Sequence, residues 1–256
     1  MCIIDSPVHR IAVSQILCMG LIIMKRELLQ LAMGLVMIFS LWFLMRHFLY
    51  FDGEILSAST MGDTGYLVVI DPGHGGVDPG MLGVNNTVEK EINLQISYKL
   101  KEKMEEQGIH VLLTRETDDG LYEESDRNKK IADMKKRCGI IAKSNADVVI
   151  SIHQNSFSDS AVCGGQVFYY KHSEEGQKLA QCIQDAFKEQ VDETNDRKIK
   201  PNDSYYMLIH TPCPTVIVEC GFITNYDEAA LLVTEEYQEK VARAITSGVV
   251  RYLGGE

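Results

Sequence analysis

The chain has 256 residues, of which 45% are hydrophobic and 24% are charged, so its composition is that of a folded protein and not of a disordered one. The formal net charge of −11 argues against a nucleic-acid-binding protein, because such proteins usually present a basic face. The seven cysteines are scattered and include no CxxC pair, which argues against a cysteine zinc cluster and against a readable disulfide framework.

The N-terminal region differs in kind from the rest of the chain. Residues 28–45 (LLQLAMGLVMIFSLWFLM) carry no charge, and about 18–20 apolar residues can just span a bilayer as a helix. We therefore predict a transmembrane anchor at residues 28–51, and we prefer an uncleaved anchor to a cleaved, secreted form. Residues 1–27 form a preceding segment in which Met24 resembles a natural start, and residues 52–65 have the small, polar composition of a linker.

From Tyr66 onward, segments typical of strands and of helices alternate. The predicted strands are 66–71, 109–115, 146–153, 165–171 and 215–221. The predicted helices are 88–107, 123–143, 173–190 and 234–253. This alternation predicts a single α/β domain at residues 66–256, with a largely parallel, mixed sheet flanked by helices.

Three polar residues lie where predicted strands end. His74 follows the first strand, His153 ends the third, and Glu219 lies near the end of the last. Ligands of open α/β sheets bind beyond the carboxyl ends of the strands, so all three residues share one sheet edge if these strands are parallel. The glycines of DPGHGG at 71–76 allow a tight turn through which His74 reaches that edge.

A fourth polar residue lies in the first predicted helix. Glu89 shares the inward, apolar face of that helix, whereas Glu91 lies on the solvated face. A buried carboxylate is costly unless it is paired or binds a metal, although a glutamate in the first turn can also interact with the helix dipole. Two histidines and one carboxylate make a known catalytic zinc set, and a further carboxylate such as Glu219 can serve as general base.

Five sequence blocks occur in order and at plausible spacing: DPGHGG (71–76), VEKEINL (88–94), TRETD (114–118), SIHQNS (151–156) and VECGFITN (218–225). They resemble the zinc-dependent N-acetylmuramoyl-L-alanine amidases of the type-3 family over roughly residues 67–253. Within that family, the likeness is greatest to the germination-specific, CwlD-type amidases of spore formers. The resemblance implies one Zn²⁺ held by His74, Glu89 and His153, with Glu219 as the catalytic glutamate.

The resemblance also implies what the protein acts on. The substrate is peptidoglycan, whose glycan strands carry stem peptides, and the bond cleaved joins N-acetylmuramic acid to L-alanine. A CwlD-type role adds functional coupling to a muramic acid deacetylase, which makes the muramic δ-lactam of spore cortex. The predicted location is outside the cytoplasm, in the cell wall or the forespore intermembrane space, with the N-terminal helix in the membrane.

Three further residues are predicted to bind substrate, namely Arg115, Arg137 and Asn155. A guanidinium forks well onto carboxylates, so the two arginines can hold peptide carboxylates or sugar oxygens. The alternative for both arginines is a salt bridge on the surface or at a helix end. Two other functions remain open at this point: a zinc carboxypeptidase that acts on peptidoglycan peptides, and a non-catalytic peptidoglycan-binding membrane protein.

Overall fold

The computed structural model describes residue 24, residues 28–40, residue 42 and residues 63–255. The chain divides into two compact units, Met1–Ser59 and Thr60–Glu256.

In the first unit, the described residues 28–40 are helical. Among the described residues, no helix combines the length and the apolar character that are needed to cross a bilayer. The predicted anchor at 28–51 extends into residues outside the described part, as do the segment before it and most of the linker at 52–65. The anchor, the linker and the start near Met24 therefore stay predictions.

The second unit contains six strands and six helices within its described residues. The strands are Leu67–Pro72 (β1), His110–Leu113 (β2), Val148–Asn155 (β3), Gln166–Tyr170 (β4), Lys200–Asn202 (β5) and Thr215–Phe222 (β6). The helices are Glu89–Glu106 (α1), Lys129–Ser144 (α2), Glu174–Gln190 (α3), Tyr206–His210 (α4), Tyr226–Leu232 (α5) and Glu235–Gly254 (α6).

The strands form one sheet in the order β2-β1-β3-β6-β4-β5. β1 is parallel to β2 and to β3, and β3 is parallel to β6, whereas β4 is antiparallel to β6. The prediction of a largely parallel, mixed sheet flanked by helices is confirmed. The central strands β1, β3 and β6 are buried along almost their whole length, which explains why each reads as a continuous apolar run in the sequence.

Helices cover both faces of the sheet. The larger core packs β1, β3 and β6 against α1, α3 and α6, with Ile96, Ile183 and Ile245 among its fully buried side chains. A smaller cluster on Val69 and Val149 is covered by α2 and α4. The predicted inward stripe of α1 is confirmed, because its residues Ile92, Ile96, Leu100 and Met104 are all buried.

The predicted helix 123–143 was wrong at its beginning. α2 starts only at Lys129, because the Asn128 side chain caps it by accepting a hydrogen bond from the Ile131 N–H. Upstream, the Asp126 carboxylate accepts from the Glu123 N–H, a local turn that competes with helix. The elements β5, α4 and α5 were not predicted, because they are too short to show a clear period.

Candidate metal centre

The parallel pairing of the central strands brings the predicted site residues to one edge of the sheet. β1, β3 and β6 are neighbours, and His74 follows the end of β1 by two residues. In the β3–β6 register, His153 stands directly opposite Glu219. The prediction that these three residues share a sheet edge is confirmed.

The turn after β1 is shaped by close packing against His153. The Gly73 N–H donates to the carbonyl of Ile152, so the β1–β3 pairing runs one residue beyond the strand. His74 then adopts a φ of 63°, in the left-handed region that a residue with a side chain rarely occupies. A Cβ on Gly73 would lie 2.3 Å from the His153 ring, so only glycine fits between the two histidine-bearing segments.

Glu89, the first residue of α1, lies between the two histidines. Its Oε1 is 3.2 Å from His74 Nε2 and 3.0 Å from His153 Nδ1, and it also accepts a hydrogen bond from the Gln154 N–H at 3.1 Å. Its Oε2 accepts from the Met81 N–H at 2.7 Å. Glu89 is buried and Glu91 is exposed, as the helical period predicts.

The three side chains form a compact set of potential metal ligands. One nitrogen or oxygen atom from each of His74, Glu89 and His153 lies within 4.8 Å of the others. The two imidazole rings meet edge to face, with centroids 4.9 Å apart. Two imidazoles and one carboxylate match the donor set of catalytic zinc sites that keep a position open for water, so the residues present fit a zinc ion.

The electrostatics of the site favour an ionised carboxylate. Burial by itself would raise the pKa of Glu89, but hydrogen bonds and charge from His153 and His74 outweigh it and lower that pKa strongly. Burial likewise opposes the charged form of His153, yet its contacts with Glu89 raise the pKa of the imidazole. A cation at this position would find a negative ligand already in place.

Glu219 stands beside this set in a different environment. It is only 9% exposed, and burial raises the pKa of its carboxyl to about 7. Its Oε2 makes no hydrogen bond to any described residue. A carboxyl group with a pKa near neutrality and an uncommitted oxygen has the properties of a general acid–base group.

The two histidines of the set border a cavity of about 300 Å³. His74, His153, Glu219, Tyr205 and Tyr206 are among the residues that line it. Both tyrosines are more than a third exposed. The cavity therefore gives an external molecule access to the two histidines and to the carboxylate together.

All three predicted substrate-binding residues make intramolecular contacts, and two of them, Arg115 and Asn155, lie away from the cavity. Arg115 donates to the backbone carbonyls of Pro72, Gly73, Lys90 and Thr117. The side-chain Oδ1 of Asn155 accepts a hydrogen bond from the backbone N–H of Ser156 at 2.8 Å. Neither residue is among those that line the cavity.

Arg137 does line the cavity, although it is 1% exposed and its guanidinium is largely committed. It pairs with Asp71 at 2.8 Å and with Asp133 at 2.5 Å. It also donates to the carbonyls of Pro72 and His74. These contacts favour the salt-bridge alternative, although the ion pairs are buried and not on the surface, and they support the turn that carries His74.

Sequence reasoning missed the polar residues that surround the three potential ligands. Asn93 and Gln154 are buried and hydrogen-bonded to each other, and Asp78 Oδ2 lies 3.1 Å from His74 Nδ1. Asn93 carried a readable signal, because it follows Glu89 by one helical turn and so shares its inward face. Gln154 had none, because its position next to His153 near the end of β3 does not by itself show that its side chain is buried.

Comparisons with known proteins show which family the chain resembles. The family model described as N-acetylmuramoyl-L-alanine amidase matches residues 68–251. The germination-specific N-acetylmuramoyl-L-alanine amidase of Bacillus subtilis is 35% identical over 74% of this chain and 81% of its own length. The amidase AmiA of Escherichia coli is 28% identical over 73% of this chain and 76% of its own length.

A solved structure is similar as well. The CwlD amidase from Clostridioides difficile, determined in complex with the GerS lipoprotein, is 43% identical and superposes with a TM-score of 0.73, covering 75% of this chain and 100% of the other. The resemblance to type-3 amidases, and within them to the CwlD type, is confirmed. The chain therefore belongs to the N-acetylmuramoyl-L-alanine amidase family, and it is an amide-hydrolysing enzyme.

Proposed function

We propose that this amidase is a zinc enzyme that hydrolyses the bond between N-acetylmuramic acid and L-alanine in peptidoglycan. One observation carries the proposal: a buried carboxylate, Glu89, lies between two histidines, and a second buried carboxylate, Glu219, stands opposite one of them across β3 and β6. His74, Glu89 and His153 would hold the metal, and Glu219 would move the proton.

The mechanism divides between the metal and the protein. A bound zinc ion supplies Lewis-acid polarisation of the amide carbonyl and a more acidic water. Glu219 accepts the proton of the attacking water on its uncommitted Oε2 and delivers it to the leaving nitrogen of L-alanine. The fully buried strand β6 holds this carboxylate rigidly opposite His153, so little reorganisation is needed when the reaction begins.

The biological setting is proposed from the relatives. The Bacillus subtilis relative is named as germination-specific, and the CwlD relative was solved with a lipoprotein. We place this chain in maturation of spore cortex, where removal of the stem peptide precedes δ-lactam formation by a muramic acid deacetylase. Because the substrate lies outside the cytoplasm, the catalytic unit is exported and the apolar residues 28–51 serve as its anchor.

Product analysis tests the reaction. The purified full chain, loaded with zinc, is incubated with spore cortex or vegetative peptidoglycan, and the soluble products are resolved by mass. We expect glycan strands that have lost whole stem peptides, together with free peptides that begin with L-alanine. Release of single amino acids from peptide ends would indicate the carboxypeptidase alternative, and binding without any cleavage would indicate the non-catalytic one.

Glu219→Gln provides the matched catalytic control in the same assay. Glutamine keeps the shape of the side chain but cannot accept the proton, and general acid–base groups contribute about 10²–10⁴-fold to rate. We expect the variant to keep its fold and zinc and to lose turnover by about that factor. Full turnover would place the general base elsewhere, and loss of zinc would make Glu219 a ligand.

A further inference from the structure

The side chain of Asn93 contacts the three segments that carry the proposed ligands. It follows Glu89 by one turn of α1 and is 0% exposed. Its Nδ2 donates to the carbonyl of Gly73 at 3.1 Å and comes within 3.5 Å of Glu89 Oε1. Its Oδ1 accepts from the side chain of Gln154 at 3.1 Å.

These partners are not arbitrary, because each belongs to a segment that carries a proposed ligand. Gly73 directly precedes His74, Gln154 directly follows His153, and Glu89 is itself a proposed ligand. One amide group therefore connects the turn after β1, the end of β3 and the first turn of α1. Displacing any of these segments would strain or break a hydrogen bond to Asn93.

A buried asparagine at this position has a cost that the local fold does not require. Its neighbours on the inward face of α1 are Ile92, Ile96 and Leu100, and asparagine is a poorer helix former than leucine. The Gly73 carbonyl does not depend on Asn93, since Arg115 also donates to it at 3.0 Å. A leucine would suit the core on these grounds, so the amide group needs another explanation.

We propose that Asn93 and Gln154 are positioning residues that fix the spacing of His74, Glu89 and His153 before the metal binds. The inference rests on the proposed zinc function and extends it to residues that do not contact the metal. Glu89 has one oxygen directed at the two histidines and the other held by the Met81 N–H. Asn93 supports the first of these, and Gln154 orients the Asn93 amide.

The test measures zinc affinity of the full chain by competition with a chromophoric chelator. Partners outside the ligand set typically contribute 10–100-fold to metal affinity. We expect Asn93→Leu to weaken zinc binding by about 10–100-fold and Gln154→Leu by about 10-fold. Because the two side chains act as a pair, the double variant should be little worse than Asn93→Leu alone. Saturating zinc should restore much of the turnover of each single variant.

Ser97→Ala is the matched control. Ser97 is equally buried one turn further along the same face of α1, and among the described residues its hydroxyl bonds only the carbonyl of Asn93, within the helix. We expect this variant to bind zinc like the parent. Circular dichroism of the metal-free proteins shows whether each variant is folded, and Gln154→Leu decides the matter if Asn93→Leu does not fold.

Two outcomes overturn the inference alone. A folded Asn93→Leu or Gln154→Leu protein with parental zinc affinity removes the positioning role while leaving the zinc enzyme intact. If Ser97→Ala loses as much zinc affinity as Asn93→Leu, the effect comes from general packing of α1 and not from the amide group. A parent chain that binds no zinc at this site would instead overturn the proposed function, and this inference with it.

Discussion

At the scale of single residues, the environment of Glu219 makes stability depend on pH. Burial raises the pKa of this carboxyl from 4.5 to about 7. Between these values the native state holds a proton that the unfolded state has lost, so the free energy of unfolding falls as the pH rises. The shift corresponds to about 3 kcal/mol, and Glu219→Gln abolishes it.

We therefore expect the zinc-free Glu219→Gln protein to gain about 3 kcal/mol relative to the zinc-free parent as the pH is raised from 4 to 8. Urea unfolding of both proteins at the two pH values measures this difference. If the two proteins differ in free energy of unfolding by the same amount at both pH values, the Glu219 carboxylate is well solvated, contrary to its burial.

For Arg137, an ion pair within the protein and a substrate-binding role predict clearly different effects of mutation. Its guanidinium pairs with Asp71, which is itself buried and also accepts from Thr114 and Ser151. Removing one member of a buried pair leaves an uncompensated charge and typically costs about 3–5 kcal/mol. We expect Arg137→Leu to lose about that much stability in urea unfolding.

The exposed Arg243 is the matched control, because its contact with Glu239 is 4.0 Å long and surface pairs contribute about 0–1 kcal/mol. Arg243→Leu should unfold nearly like the parent. If Arg137→Leu is as stable as Arg243→Leu but has a raised KM, then Arg137 binds substrate after all.

At the scale of elements, the turns between strands and helices depend on two glycines. A Cβ on Gly73 would overlap the His153 ring, and a Cβ on Gly80 would lie 2.5 Å from Glu89 Oε2. Gly80 also has a φ of 71°, which is unfavourable for most residues that carry a side chain, alanine included. Displacing a reacting group by about 1 Å can cost about 100-fold in rate. We expect Gly73→Ala and Gly80→Ala to lose turnover by at least about that factor, with weaker zinc binding.

Gly139 offers a direct comparison within a helix. It lies inside α2, and an added Cβ would meet nothing within 4 Å. Gly139→Ala should keep full activity and gain about 0.5–1 kcal/mol of stability, since glycine weakens helices. Equal activity in all three alanine variants would show that the turns tolerate displacement, which contradicts the tight packing described above.

Among these elements, some could be predicted from the sequence and others could not. Apolar runs identified the central strands, and the helical period separated buried Glu89 from exposed Glu91. The direction of β4 was harder to predict, although a signal was present. The connection from Asn155 to Gln166 contains no helix, and a parallel return usually needs a dozen or more residues with one. β5 has three residues, too few for any alternation to appear.

At the scale of the whole molecule, the residues of the site could be predicted from the sequence better than the hydrogen bonds that surround them. Parallel β1, β3 and β6 were enough to bring His74, His153 and Glu219 to one edge. The buried polar residues around them were not, because hydrogen bonds such as Asn93 to Gly73 join segments that only the folded chain brings together. The N-terminal anchor at 28–51 stays a prediction from composition.

The zinc content of two neighbouring variants shows whether Glu89 completes a zinc site with the two histidines. Glu89→Ala removes the buried carboxylate, whereas Glu91→Ala removes an exposed one from the same helical turn. Zinc per chain is measured after purification in limiting zinc. We expect one zinc in the parent and in Glu91→Ala and almost none in Glu89→Ala. A full complement of zinc in Glu89→Ala would contradict it.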